Sequence, residues 1–358
     1  MMENEIELIL LGCLVNRTEE ENKRLNALLE IPEDWAFITG QLIRHRINGN
    51  FYSSLLPEQK KYIIGKVSQT FEILCKCYKE YNKISLEFFK ELIEKTDDVG
   101  INVAGLKGMV FNTDLYQLEA RRSNDIDILV AEKDLKVFDN IMRENGFIQS
   151  MNHGRTEATK REKMIQIMNY HDLVPYYKLV NYSFMDYIKV DVNFHFDSKE
   201  HDITTEVLNE GTQDYYGNGY VVRGLKKETH LLHLCIHFYR EATNSIWTSS
   251  ARDVDLYKIV DIENTLRGYG EILSWCKYVE KYKLNKQCYF TFNYLNQFYP
   301  NKIYEEVMDI IKPQDISFLN EVEVLGGRKA TREMSFFERT FDMKYGKNFA
   351  NRNMEKIF

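Results

Sequence analysis

Arg121–Val130 reads RRSNDIDILV. Its β-branched and apolar residues predict a strand, and two aspartates interrupt it two residues apart. On a strand, residues i and i+2 point to one side, so Asp125 and Asp127 project together while Ile126 and Ile128 face the opposite side. Two neighbouring carboxylates repel unless a cation lies between them; without one, a carboxyl holds a proton at neutral pH. Hard divalent ions with oxygen ligands relieve the repulsion, and Mg²⁺ is bound through one or two carboxylates plus substrate phosphates. With 54 acidic residues in the chain, an isolated Asp-x-Asp arises by chance, and two solvated acids at a strand end is the ordinary reading.

The neighbourhood decides between the two. Upstream, NVAGLKGMVF ends a short strand and enters a helix through Gly105 and Gly108, where helix N-terminal N–H groups suit a phosphate. Lys107 adds a point positive charge at that turn. Downstream, IKVDVNF places Asp191 in another alternating strand. Three carboxylates on neighbouring strands beside a glycine turn fit a two-metal phosphoryl-transfer site, with ions roughly 4 Å apart.

Outward from this centre the chain divides into three regions. Residues 1–96 carry apolar residues at three- and four-residue spacing, as in EIELILLGCLV and PEDWAFITGQLIRHRI, and predict a helical bundle. Within this region NKIS reads as a break, with Ser85 capping the following helix. Residues 97–224 change to short strands around one marked helix, KDLKVFDNIMRENG, closed by Gly146. Here KMIQIMNYH, LVPYYKLV and SFMDYIKVDVNFHF are expected as strands of a meander, and Gly217-Asn218-Gly219 marks a turn between two more. Residues 225–358 return to the helical period; the stretch from Pro313 onward is less periodic and takes no role.

Composition bounds the function. A chain of 358 residues that is 44% hydrophobic is long enough for two or three packed regions and too apolar for disorder. Five prolines and no long Gly/Ser tract leave no evident flexible linker. The opening MMENEIELILLGCLVNR lacks a basic leader, and no apolar run reaches the roughly 20 residues that span a bilayer, so a soluble, cytoplasmic protein without membrane attachment is expected. The six cysteines lack paired C-x-x-C spacing and fit a reducing compartment. A net charge of −7 argues against nucleic acid as the partner and for a small molecule or a protein.

Other signals carry less. His230, His233 and His237 in HLLHLCIH include an i, i+4 pair, but the interleaved leucines favour packed helix histidines over a metal site. Arg44 and Arg46 could reach phosphate, but on a helix they fit a solvated or ion-paired face equally well. Asp253 and Asp255 form a second Asp-x-Asp in a segment read as helix, where i and i+2 do not share a face, so they are a poor metal pair. The 23 tyrosines and 21 phenylalanines mostly fill cores, though some would stack a nucleobase.

The run LKGMVF…LY…RRSNDIDILV, then NYHDLVPYYK, VDVNFHF and LLHLCIHF resembles a bacterial uncharacterised nucleotidyltransferase family of the DNA polymerase β-like superfamily, from about Trp35 to Asp261. The resemblance implies an α+β fold: a small mixed-sheet nucleotidyltransferase core flanked by N-terminal and C-terminal helical regions. It implies that Asp125 and Asp127 hold the catalytic metals, two Mg²⁺ ions, and that Asp191 completes the metal site and helps deprotonate the acceptor hydroxyl. Lys107 and Gly108 correspond to the phosphate-binding turn and Arg121 to the arginine preceding Asp-x-Asp. His171 matches the family pattern and, with His195, would line an acceptor pocket, with a hydrogen-bonded strand histidine as the equal alternative. The chain departs from the pattern twice. The superfamily turn is usually Gly-Ser or Gly-Gly, so Lys107-Gly108 lacks a hydroxyl contact to the triphosphate, a feature shared with the smaller family. Asn193 stands where that family typically has a histidine. The implied activity is Mg²⁺-dependent transfer of a nucleoside monophosphate from an NTP to a hydroxyl of a small molecule, peptide or protein, with release of pyrophosphate. The alternatives are a non-catalytic binding or antitoxin-like protein on the same fold, and a phosphotransferase using the same metal site.

Overall fold

The side of strand 126–130 that bears no aspartates is where the sheet's core begins. In the computed structural model, which describes residues 2–31, 34–250, 252–324, 328–332 and 334–341, Ile126, Ile128 and Val130 are 1% exposed or less. They pack with Val190, Val192, Phe138, Met142 and Phe147 in one cluster. Burial of this kind stabilises by about 25 cal/mol per Å² of apolar surface.

Seven strands form one sheet: β1 (Val103–Gly105), β2 (Ile126–Val130), β3 (Ile148–Gln149), β4 (Tyr176–Tyr182), β5 (Met185–Asn193), β6 (Thr212–Gly217) and β7 (Tyr220–Leu225), in the order β3-β4-β5-β2-β1-β7-β6. The pairs β2–β5 and β1–β7 are parallel and the others antiparallel, so the sheet is mixed and the fold is α+β. The 217–220 turn closes as expected: Asn218 and Gly219 have φ of 51° and 83°, the pair of positive values that a two-residue type I′ hairpin requires. Asn218 Nδ2 donates to the carbonyls of Asn112 and Tyr116 at 2.9 and 2.7 Å, tying the hairpin to the turn after β1.

KMIQIMNYH and NKIS depart from the sequence expectation. KMIQIMNYH is not a strand: Lys160–Asn169 is a helix, begun by a Thr159/Glu162 capping box in which Thr159 Oγ1 accepts the Glu162 N–H and Glu162 Oε2 accepts the Thr159 N–H. That Thr-x-x-Glu start outweighs the β-branched content behind it. Nor does the chain break at NKIS. Gly65–Asp98 is one helix of 34 residues; Ser85 Oγ donates to the Tyr81 carbonyl 3.0 Å away in the preceding turn instead of capping. KDLKVFDNIMRENG does form its helix, Leu135–Glu144, with Gly146 just past its end at φ 81°.

The chain divides into two compact units, Gly49–His230 and Met1–Asn48 with Leu231–Phe358. The first holds the seven-stranded sheet and the 65–98 helix, which enters the sheet's core through Leu86, Phe89 and Leu92. The three regions of the sequence cut the chain elsewhere, at 96 and 224.

The second unit is mainly helical, with Trp275, Phe290, Phe292 and Leu295 fully buried. Arg252–Asp255 is not helical: Asp255 is the N-cap of the helix Leu256–Arg267. Asp255 pairs with Arg46 at 2.9 Å and Asp253 pairs with Arg339, so both acids are taken up by arginines. His233 and His237 are buried and stacked at 6.4 Å, and His237 faces Glu241, which pairs with Lys258. In the stretch from Pro313 onward, the described residues form a hairpin, β8 (Glu321–Val324) with β9 (Arg328–Thr331), and the helix Phe336–Phe341; residues 342–358 lie outside the described residues. Among the described residues, no helix is long and apolar enough to cross a membrane.

Candidate active site

Asp127 on β2 and Asp191 on β5 are register partners across the parallel pair, and Asp125 lies two residues before Asp127 on the same side. All three carboxylates therefore share the face opposite the apolar cluster. Their side chains are partly exposed, 31% for Asp125, 13% for Asp127 and 19% for Asp191, so the site opens to solvent.

Two lysines neutralise the acids. Lys107 Nζ lies 2.9 Å from Asp127 Oδ1. Lys189 Nζ bridges Asp125 Oδ2 at 3.1 Å and Asp191 Oδ2 at 2.5 Å. Burial pushes the Asp191 carboxyl up to about 8, reinforced by the charge of Asp125. Burial raises Asp127 as well, against the pull of Lys107. At Asp125 the desolvation penalty is outweighed by Lys189 and Lys107, and the group stays below its ordinary value. Three carboxyls and two ammonium groups balance electrically when one carboxyl keeps its proton, and Asp191 is the one placed to keep it.

Lys107 sits in a left-handed conformation, φ 44°, at the start of a helical turn, Gly108–Val110, that continues as a π-helical turn, Phe111–Leu115. The helix expected after the glycine turn is thus short and widened. Gly108 is required there: a Cβ would lie 2.5 Å from Ser123 Oγ and 3.0 Å from Arg121 Nη1. Arg121 is 7% exposed, donates to Ser123 Oγ at 3.0 Å and lies over the Phe111 ring. The Lys107-Gly108 turn and Arg121 are therefore brought together.

His171 and His195 are linked through the backbone, His195 N–H donating to the His171 carbonyl at 3.1 Å just past the end of β5. The His195 ring is buried against Phe194, and its Nδ1 lies 3.4 Å from Asp202 without forming a hydrogen bond. Asn193 donates to the Ile128 carbonyl at 3.3 Å, bracing β5 against β2.

Two groups at this site, Lys189 and Asn82, have no counterpart in the sequence reading, and a third, His230, is read there only as a packed helix histidine. Lys189 carried a signal, being two residues before Asp191 in an alternating strand and so on the same face. His230 accepts the Lys107 backbone N–H on Nε2 at 3.2 Å and packs on Phe111. Burial, with Arg121 and Lys107 nearby, holds its imidazole down at about 3, so it is neutral and free to accept. Asn82 donates to the carbonyls of Leu118 and Arg121 at 2.7 and 2.8 Å. No local pattern marks Asn82 or ties His230 to Lys107, because their partners lie far along the chain.

Among the described residues, no group of three or more His, Cys, Asp or Glu is set to hold a metal ion as it stands; the lysines occupy the carboxylates instead. The donor set still suits a hard divalent ion. It consists of carboxylate oxygens alone, and Asp191 Oδ1 is buried and receives no hydrogen bond.

The family model for uncharacterised nucleotidyltransferases matches residues 32–300. The chain belongs to that family: it is an enzyme of the nucleotidyltransferase class, with a nucleotide as substrate. No curated protein matches it.

Proposed function

We propose that the protein transfers a nucleoside monophosphate from an NTP to an acceptor hydroxyl at Asp125, Asp127 and Asp191, in the manner of DNA polymerase β-like enzymes. The observation that carries this reading is the convergence of three strand-borne carboxylates beside the Lys107-Gly108 turn on the sheet's polar face.

Asp125, Asp127 and Asp191 would hold Mg²⁺, with Lys189 giving up its two carboxylates. The metal supplies charge stabilisation for the phosphorus centre and its leaving oxygen. Lys107 and Arg121 offer positive charge to the phosphates, and the Lys107 backbone is pinned by His230. The acceptor oxygen forms a bond to the α-phosphorus while the bond to the bridging oxygen of the β-phosphate breaks. Pyrophosphate leaves with that electron pair, and the hydroxyl proton passes to Asp191 once that carboxyl is ionised. His171 and His195 would stand on the acceptor side.

Product mass tests the reading. Incubation with each of the four NTPs, Mg²⁺ and a hydroxyl acceptor pool should give products heavier by a nucleoside monophosphate, with matching pyrophosphate. A gain of phosphate alone would replace nucleotidyl transfer by phosphoryl transfer.

A further inference from the structure

The acid cluster has an aromatic neighbour on the flank away from Lys107. Tyr177 of β4 is the register partner of Lys189, and Leu179 the partner of Tyr187, so these four share the sheet face that bears Asp191. The Tyr177 and Tyr187 rings meet edge to face at 5.2 Å. The His153 ring lies over Tyr187, 5.4 Å away and within 21° of parallel.

His153 is held there at a conformational cost. Its φ is 59°, a left-handed backbone that is strained for a residue with a side chain and that marks functional sites when the surroundings enforce it. Here they do. Ser150 Oγ accepts the N–H groups of Asn152 and Gly154 at 3.2 and 3.0 Å, and Asn152 Oδ1 accepts the Thr156 N–H at 3.0 Å. Gly154 (φ 82°) lets the backbone lie directly on Tyr177, where a Cβ would be 2.9 Å from the tyrosine's own. The outer edge is apolar and open: Met151 is 64% exposed and Leu179 59%.

Resting on the nucleotidyl-transfer reading above, we propose that His153, Tyr177, Tyr187 and Leu179 form the part of the acceptor site that takes a ring, and that the acceptor is a hydroxyl compound carrying an aromatic ring. Sheet order gives the direction. The phosphate turn follows β1, the acids lie on β2 and β5, and the aromatic shelf lies on β5 and β4, so triphosphate and shelf approach the acids from opposite flanks. A ring stacked beside His153 and Tyr187 presents its hydroxyl toward Asp191. That oxygen takes the nucleotidyl group and its proton leaves to the carboxylate, as in the reaction above.

The test is ligand-observed NMR with N-acetyltyrosinamide as aromatic probe and N-acetylserinamide as aliphatic control, beside calorimetric titration of each NTP with Mg²⁺. His153→Gly suits the left-handed backbone and removes only the ring; Tyr187→Leu removes the shelf's centre, and thermal unfolding checks both folds. Wild type should bind the aromatic probe and ignore the control, and either variant should weaken the probe about five- to tenfold while keeping the NTP affinity. Equal probe binding in wild type and variants, equal binding of the serine control, or no aromatic binding at all overturns the subsite. Loss of NTP affinity in the variants would give the shelf to the nucleobase and likewise overturn it. Failure of wild type to bind any NTP strikes at the nucleotidyl-transfer reading, a separate outcome from failure of the aromatic probe.

Discussion

Asp127 and Asp191 stand opposite each other on adjacent parallel strands, yet each is bound to a different lysine, Asp127 to Lys107 and Asp191 to Lys189. Lys107 comes from the turn after β1 and Lys189 from Asp191's own strand. The acids are therefore compensated from two sides by cations that a metal and a triphosphate would have to rearrange.

The first consequence is catalytic. Asp127→Asn keeps the shape of the strand and a partner for Lys107 but removes a charge from the proposed metal site. Transfer should fall by about 10³-fold, within the several kcal/mol that metal clamps contribute, with an unfolding temperature close to wild type. Pyrophosphate release and thermal scans on the same preparation check both halves.

Metal binding should also move a proton. The Asp191 carboxyl is raised to about 8, by burial first and the charge of Asp125 second, so below that pH it is protonated in the metal-free protein, and an ion that takes its oxygen must displace the proton. Magnesium titrated at pH 7 should release about one proton per site, seen as a binding heat that varies with the ionisation enthalpy of the buffer. At pH 9 the variation should disappear.

His230 makes stability acid-sensitive. Its folded value of about 3 lies below the roughly 6.5 of an unfolded histidine. Between those values the unfolded chain binds a proton that the folded one refuses. The contribution is fully present above the unfolded value and is lost as pH falls toward the folded one, at no more than about 1.4 kcal/mol per pH unit. Buried His45 is lowered in the same direction, so the His230→Gln variant should retain part of the acid sensitivity. Urea midpoints of wild type and His230→Gln across pH 4–8 should converge toward acid pH, and parallel curves would contradict the assignment.

Asn82 tests the support behind Arg121. Asn82→Ala leaves the carbonyls of Leu118 and Arg121 without their donor, at a cost of about 2 kcal/mol or more, and loosens the segment that carries Arg121. Chemical denaturation should register the loss in stability, and nucleotide affinity should fall with it.

Much of this site was legible because it is local. Alternation in DIDILV and IKVDVNF puts each acid on the face opposite its isoleucines and valines, and the same rule would have put Lys189 there. Gly108 was legible as a turn residue, though its physical reason, the Ser123 and Arg121 side chains packed against it, is tertiary. What escaped depended on contacts distant in sequence. His230 lies 123 residues from its partner Lys107, and Ser85 reads as a cap until its hydroxyl is seen to bond within the helix. The KMIQIMNYH helix escapes for a different reason: its apolar content resembles a strand, while the signal that starts it lies in Thr159 and Glu162 just upstream.

The most direct measurement is calorimetric titration of ATP, GTP, CTP and UTP, with and without Mg²⁺, into wild type and an Asp125→Asn/Asp127→Asn variant. The account predicts Mg²⁺-dependent binding of at least one nucleotide that the double variant loses while remaining folded. Binding that ignores Mg²⁺, or that survives in the double variant, would contradict it.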